Sequence, residues 1–207
     1  MTQRIALTFD TEHSDRPKVP DGELRLLELL DRTGVRATFF LQGRWVEGYP
    51  SVARAIVEAG HLIGNHSHYH AKMPLFTADG FTTDVRAAEA AIRSVTGRDP
   101  RPWFRFPFGT GANDPALRAR LEVLGYRHVG WDVDPKDWAD DATETSVAAS
   151  LEAGVAKAGA AAILLLHAWP TPTPGAVARL LPRLRDAGAS FVTLDELEGE
   201  VRMSIPA

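Results

Sequence analysis

Four of the seven histidines fall between His61 and His70. His66 and His70 are spaced i, i+4, which puts two imidazoles on one face if the segment makes a helical turn. A carboxylate from another strand would complete a three-ligand metal site with open positions for water. Asp10 and Glu12 are a second pair. On an extended strand end, residues two apart point the same way, so one could bind a metal while the other acts as a base. Each signal alone also has an ordinary reading: a solvated polar loop for the histidines, a turn cap for Asp10. His61 precedes a strand and His68 sits on the side opposite the pair, so neither is expected to be a ligand.

Three more residues carry chemistry in context. Arg105 lies among Trp103, Phe104 and Phe106, a setting in which a guanidinium needs an acidic partner. His167 follows Ile163-Leu-Leu-Leu166 and is expected to be partly buried at a strand end. Asp137 would make it functional by orienting it and raising its pKa. Trp138 and Trp169 fall at loop positions, unusual for core tryptophans. Asp21, Asp31 and most other charges read as solvated helix faces or caps.

The elements that must position these residues are visible as short apolar runs. Strands are predicted at Ile5–Phe9, Ala37–Leu41, Leu62–Gly64, Trp103–Phe106, Arg127–Trp131, Ala162–Leu166 and Phe191–Leu194. Their lack of strict alternation suits strands buried on both faces. Helical periodicity fills Glu23–Asp31, Ser51–Ala59, Thr82–Val95, Pro115–Leu124, Thr143–Ala158 and Pro174–Asp186. Asp114 before Pro115 reads as an N-cap with proline at N1. Gly34, Gly60, Gly97, Gly125 and Gly188 read as C-terminal stops. Alternating strand and helix means a parallel sheet with helical crossovers; periodicity leaves open whether it closes into a barrel. Functional groups in such folds gather at the C-terminal ends of the strands, and the residues above stand just after them.

Composition bounds the rest. At 207 residues the chain is about one domain. The absence of cysteine excludes thiolate metal sites, thiol catalysis and disulfides. A net charge of −4 gives no general attraction for nucleic acid or anionic lipid. The longest apolar stretch, Ala158–Leu166, is too short to span a bilayer. A strand beginning at Ile5 leaves no room for a signal peptide, so a soluble, cytoplasmic chain is expected, although one trimmed of a leader would read the same. Oligomeric state is not legible.

Together these segments resemble the polysaccharide deacetylases of carbohydrate esterase family four, the NodB-homology domain. The likeness runs from Leu7 to His167 and, as one domain, takes in residues 1–207. Thr8-Phe9-Asp10 resembles the catalytic-base motif. His66-Ser-His-Tyr-His70, after Gly60-His-Leu-Ile-Gly-Asn65, is similar to the metal motif. Arg105-Phe-Pro-Phe-Gly109, Asp134-Pro-Lys-Asp137-Trp138 and Leu165-Leu-His167 match the remaining three. The resemblance implies an α/β fold, a distorted seven-stranded (β/α) barrel. One motif departs: the family usually has two adjacent aspartates, and here the second is Thr11, a poor metal ligand. Variants of the type Asp-x-Glu suggest that the carboxylate has moved to Glu12.

The activity implied is hydrolysis of the acetamide of an N-acetylated saccharide. Glu12, His66 and His70 would hold one divalent metal, zinc first, with cobalt, nickel or manganese as alternatives. Asp10 would be the general base, held by Arg105. The backbone N–H of Phe108 would help receive the oxyanion. His167 would be the general acid, tuned by Asp137, and Leu165 and Trp138 would enclose the acetyl methyl. Rival readings are a cyclic imidase or allantoinase-like amide hydrolase, an acetyl esterase, and an inactive sugar-binding module. With nearly every residue in the barrel, the groove is expected to be shallow, with Trp138 and Trp169 as stacking platforms, and to favour short soluble saccharides.

Overall fold

The centre of the sheet is β1, Arg4–Thr11, whose residues from Ile5 onward are all buried. Such a strand needs neighbours on both edges and cover on both faces. In the computed structural model, which describes residues 2–12 and 21–198, it has them. On one edge lies β6, Ala161–His167, in register from Arg4 opposite Ala161 to Asp10 opposite His167. On the other edge β2, Thr38–Leu41, pairs with its second half, and β7, Ser190–Val192, pairs with its first three residues. The order then continues through β3, Leu62–Asn65, β4, Trp103–Phe104, and β5, Arg127–His128, every pairing being parallel.

Beyond β5 the chain does not stop at the edge of the sheet. Val133 bridges to Leu164 on the free side of β6, and the Leu165 N–H donates to the Val133 carbonyl at 2.9 Å. The sheet is thereby curled round towards itself as a seven-stranded distorted barrel. Six helices match the predicted periodic segments: α1, Gly22–Arg32, α3, Pro50–Glu58, α4, Ala78–Thr96, α5, Pro115–Val123, α6, Glu144–Lys157, and α7, Thr173–Asp186. All five predicted stop glycines have positive φ, and Asp114 accepts hydrogen bonds from the Ala116 and Leu117 N–H groups. Two short helices are additional: α2, Gly43–Gly48, and α8, Leu194–Glu198. Among the described residues no helix is long and apolar enough to cross a membrane.

Several boundaries differ from expectation, each for a local reason. The fourth and fifth strands are only two residues long. After Phe104 the chain meets Pro107, which has no N–H to give a ladder, and Phe108 turns it with φ 57°. After His128 it swings across to β6 as described. Leu194 starts α8 rather than ending a strand. Helix α4 begins earlier than predicted because the Thr77 hydroxyl caps it by accepting from the Gly80 N–H.

Candidate active site

The strand ends converge on one pocket of about 690 Å³, whose lining includes Asp10, Glu12, His66, His70 and His167. Asp10 and His167 are direct neighbours across β1 and β6. The ends of these strands are tied together by the Ala168 N–H, which donates to the Asp10 carbonyl at 3.0 Å.

Arg105 is fully buried and is satisfied at every turn. Its Nη1 donates to Asp10 Oδ1 at 2.8 Å, Nη2 to the Gly130 carbonyl at 3.0 Å and Nε to the Val129 carbonyl at 3.3 Å. The guanidinium lies 4.2 Å from the centre of the Phe40 ring. That ring needs the space left by Gly64, where a Cβ would stand 2.7 Å from it. A buried guanidinium is tolerated only with such pairing, so the acidic partner expected of Arg105 is Asp10.

The two histidines share a face, but not through a helical turn. The stretch from His66 to Lys72 is irregular, with Ser67 and His70 at φ 63° and 54°. Side-chain bonds hold that strained path. Both carboxylate oxygens of Asp84, on α4, accept from the His68 and Tyr69 N–H groups at 3.0 Å, and the Ser67 hydroxyl accepts from the His70 N–H at 2.9 Å. Of the five non-glycine residues with positive φ among the described residues, Ser67, His70, Phe108 and Lys136 belong to motif segments around the pocket. Strain concentrated in this way marks functional sites.

The donor set fits a cation. Nε2 of His66, Nε2 of His70 and a Glu12 carboxylate oxygen lie within 4.8 Å of one another. His66 Nδ1 is 2.9 Å from the Arg105 carbonyl, which can only accept. Neutral His66 therefore turns the lone pair of Nε2 towards Asp10 Oδ2 at 3.4 Å and Glu12 Oε2 at 3.6 Å. A lone pair facing two carboxylates calls for a positive charge between them, a proton or a metal ion. Without metal the proton serves: burial opposes charge on His66, yet Asp10 and Glu12 raise its pKa. Burial likewise opposes charge on Glu12, and the contacts with His66 and His70 more than reverse it, holding the carboxyl well below its usual range. Thr11 is not part of this set, since its hydroxyl donates to the Phe40 carbonyl at 3.1 Å. His61 accepts from the Ala37 N–H and lies outside the site, as does buried His68. His13, next to Glu12, is outside the described residues.

His167 Nδ1 is 2.8 Å from Asp137 Oδ1, which leaves Nε2 as its other ring nitrogen. Burial pulls the imidazole pKa down, but Asp137 outweighs it, and the value is pushed up to about 9. Asp137 is itself fixed: Oδ2 accepts from the His167 N–H and from the Thr173 hydroxyl. Leu165, Trp138 and Phe108 line the pocket, and the Phe108 ring lies 4.5 Å from that of His70.

A sequence profile of the polysaccharide deacetylases matches residues 2–129. The chain belongs to the polysaccharide deacetylase family. It is 31% identical over 202 residues to the peptidoglycan-N-acetylglucosamine deacetylase PgdA of Listeria monocytogenes, covering 96% of this chain but 39% of that relative. It is 30% identical over 186 residues to the uncharacterized protein YlxY of Bacillus subtilis, covering 86% of this chain. The chain spans about half, 54%, of the length of YlxY. Among solved structures, a CE4 family pseudoenzyme from Bacillus anthracis superposes with a TM-score of 0.83 at 25% identity, over 95% of this chain and 65% of that one. A mutant of that pseudoenzyme has restored enzymatic activity on the same fold. Membership of the polysaccharide deacetylases therefore leaves activity to individual side chains.

All ten sequence-predicted site residues stand at or directly beneath this pocket. Sequence reasoning missed the supports: Asp84 under the histidine loop, Thr173 under Asp137, and Trp131, whose ring lies 5.7 Å from the Arg105 guanidinium. It also missed what Trp169 does, for the indole N–H donates to Glu12 Oε1 at 3.2 Å. Such supports are ordinary polar or aromatic residues far away in the chain, and no motif spacing points to them.

Proposed function

We propose that this chain hydrolyses the N-acetyl group of an amino sugar in a glycan. The observation that carries the reading is the joint placement, in one pocket, of the Asp10–Arg105 pair, the His167–Asp137 pair and the Glu12, His66 and His70 donors. The names of relatives such as PgdA support the substrate class. We further propose that short soluble saccharides are preferred.

Glu12, His66 and His70 would hold a divalent cation, zinc first and then cobalt, nickel or manganese. When bound, it supplies Lewis acidity for the acetyl carbonyl and lowers the pKa of the attacking water. Asp10 takes the proton from that water. Its Oδ1 is committed to Arg105, so Oδ2 is the basic atom. His167 holds a proton on Nε2 for the departing amine, since a free amide anion is too poor a leaving group. Asp137 keeps the ring protonated and oriented. Leu165 and Trp138 wall the pocket where the acetyl methyl would lie, and the Phe108 N–H would donate to the developing oxyanion.

The test is acetate release from N-acetylglucosamine oligomers by zinc-loaded protein. Wild-type protein should release acetate; chelator-stripped protein and the His66→Ala variant should not. Full activity after stripping would remove the metal from the reading. No release from any N-acetylated saccharide, with hydrolysis of cyclic imides instead, would favour the imidase alternative.

A further inference from the structure

Glu12 lies one residue past the end of β1, and its side chain has one more rotatable bond than an aspartate. Nothing in the strand ladder fixes its carboxylate. Register offers a support, because Asp10 pairs with His167. Two residues past that pair on each chain segment, beyond both strand ends, stand Glu12 and Trp169, which are joined by a side-chain hydrogen bond. The Ala168 N–H bond to the Asp10 carbonyl keeps the two strand ends together there. Trp169 Nε1 donates to Glu12 Oε1 at 3.2 Å, while Oε2 is the oxygen in contact with His66 and His70.

We infer that Trp169 is the positioning residue for the metal-binding carboxylate, not a sugar-stacking platform. This rests on the proposed metal site. An indole N–H is a donor only. It therefore favours the ionised carboxylate, cannot compete for the cation, and commits one oxygen so that the other stays with the histidines. Partners of this kind orient metal ligands, and their removal typically costs 10–100-fold in affinity or activity.

The experiment measures zinc affinity of metal-stripped protein by competition with a chromogenic chelator. Trp169→Phe, which keeps a ring but loses the N–H, should bind zinc about 10–100-fold more weakly while the metal-free protein still folds, with at most the small drop in melting temperature that loss of one hydrogen bond brings. In a Glu12→Gln background the same change should cost no more than about twofold, because coupled residues are non-additive. Wild-type affinity in Trp169→Phe, or equal losses in both backgrounds, would overturn the assignment. If Trp169→Phe fails to fold, the indole ¹⁵N–H resonance of Trp169 in otherwise intact protein decides. It should move on zinc addition and on Glu12→Gln, and a resonance indifferent to both rejects the proposal. Failure of the metal site itself shows in a different arm, as equal zinc affinity in wild type and His66→Ala.

Discussion

Asp10 has one oxygen on Arg105 and the other facing His66, so replacing it with asparagine keeps the shape and an acceptor for Arg105 but removes the proposed base and the counter-charge of a buried guanidinium. Asp10→Asn should therefore melt earlier, and the folded protein should lose on the order of 10²–10⁴-fold in turnover, the usual contribution of a positioned base. Steady-state kinetics alongside thermal melting checks both halves. His167 makes a pH argument with a definite sign. Against the opposing pull of burial, Asp137, with smaller help from Glu12 and Asp10, pushes its pKa up from the ordinary 6.5 to about 9 in the metal-free protein. The acid form is thus favoured at neutral pH, and kcat/KM for acetamides should fall on the alkaline side as His167 loses its proton. In Asp137→Asn that fall should move to lower pH, because the charge holding the pKa up is gone. The linked stability runs the same way: it is fully present below about pH 6.5 and lost as pH rises through about 9. The melting-temperature deficit of Asp137→Asn should accordingly shrink in alkali. His167→Ala should harm acetamides more than activated esters, which leave without a proton; equal losses would contradict the acid role.

The histidine loop is held from outside by helix α4. Asp84 is buried and accepts two backbone N–H groups, so Asp84→Ala removes the partner of both. The His68 N–H is buried and orphaning it costs about 1–3 kcal/mol, whereas the Tyr69 N–H is only partly buried and water can take over its bond. The variant should melt earlier and bind zinc more weakly, although Asp84 touches neither His66 nor His70 through any hydrogen bond described. Unchanged zinc affinity in folded protein would show that the loop keeps its path without α4. The neighbouring helix α2 also reaches this loop. Gly43 allows the approach, since a Cβ there would stand 2.3 Å from His68 Nδ1 and 2.9 Å from the Ala88 backbone.

The pocket belongs to the molecule rather than to any one element: its walls come from the ends of strands far apart in the chain, brought together because every strand runs the same way. Its volume of about 690 Å³ is within the range of small-molecule sites. Activity on N-acetylglucosamine oligomers should therefore level off after a few sugar units. A steep rise in kcat/KM with each added unit would show an extended groove and defeat the preference for short saccharides.

The strands and six of the helices were legible because burial on both faces and amphipathic periodicity are local in sequence. So was the gathering of the candidate site residues around one pocket, because a parallel sheet presents its strand ends on one side and each motif follows a strand. Three things were decided only by packing. The closure of the sheet through Val133 and Leu164 depends on a chain path that no periodicity encodes. The shared face of His66 and His70 arises from two left-handed residues and the Asp84 bonds, where spacing alone suggested a helical turn. That Glu12 and not Thr11 stands beside the histidines follows from which way each side chain leaves the end of β1. Thr11 turns to the Phe40 carbonyl, while Glu12 reaches the histidines and Trp169. Hydrogen-bond partners distant in the chain become neighbours only once the sheet has curled, and so sequence spacing holds no record of them.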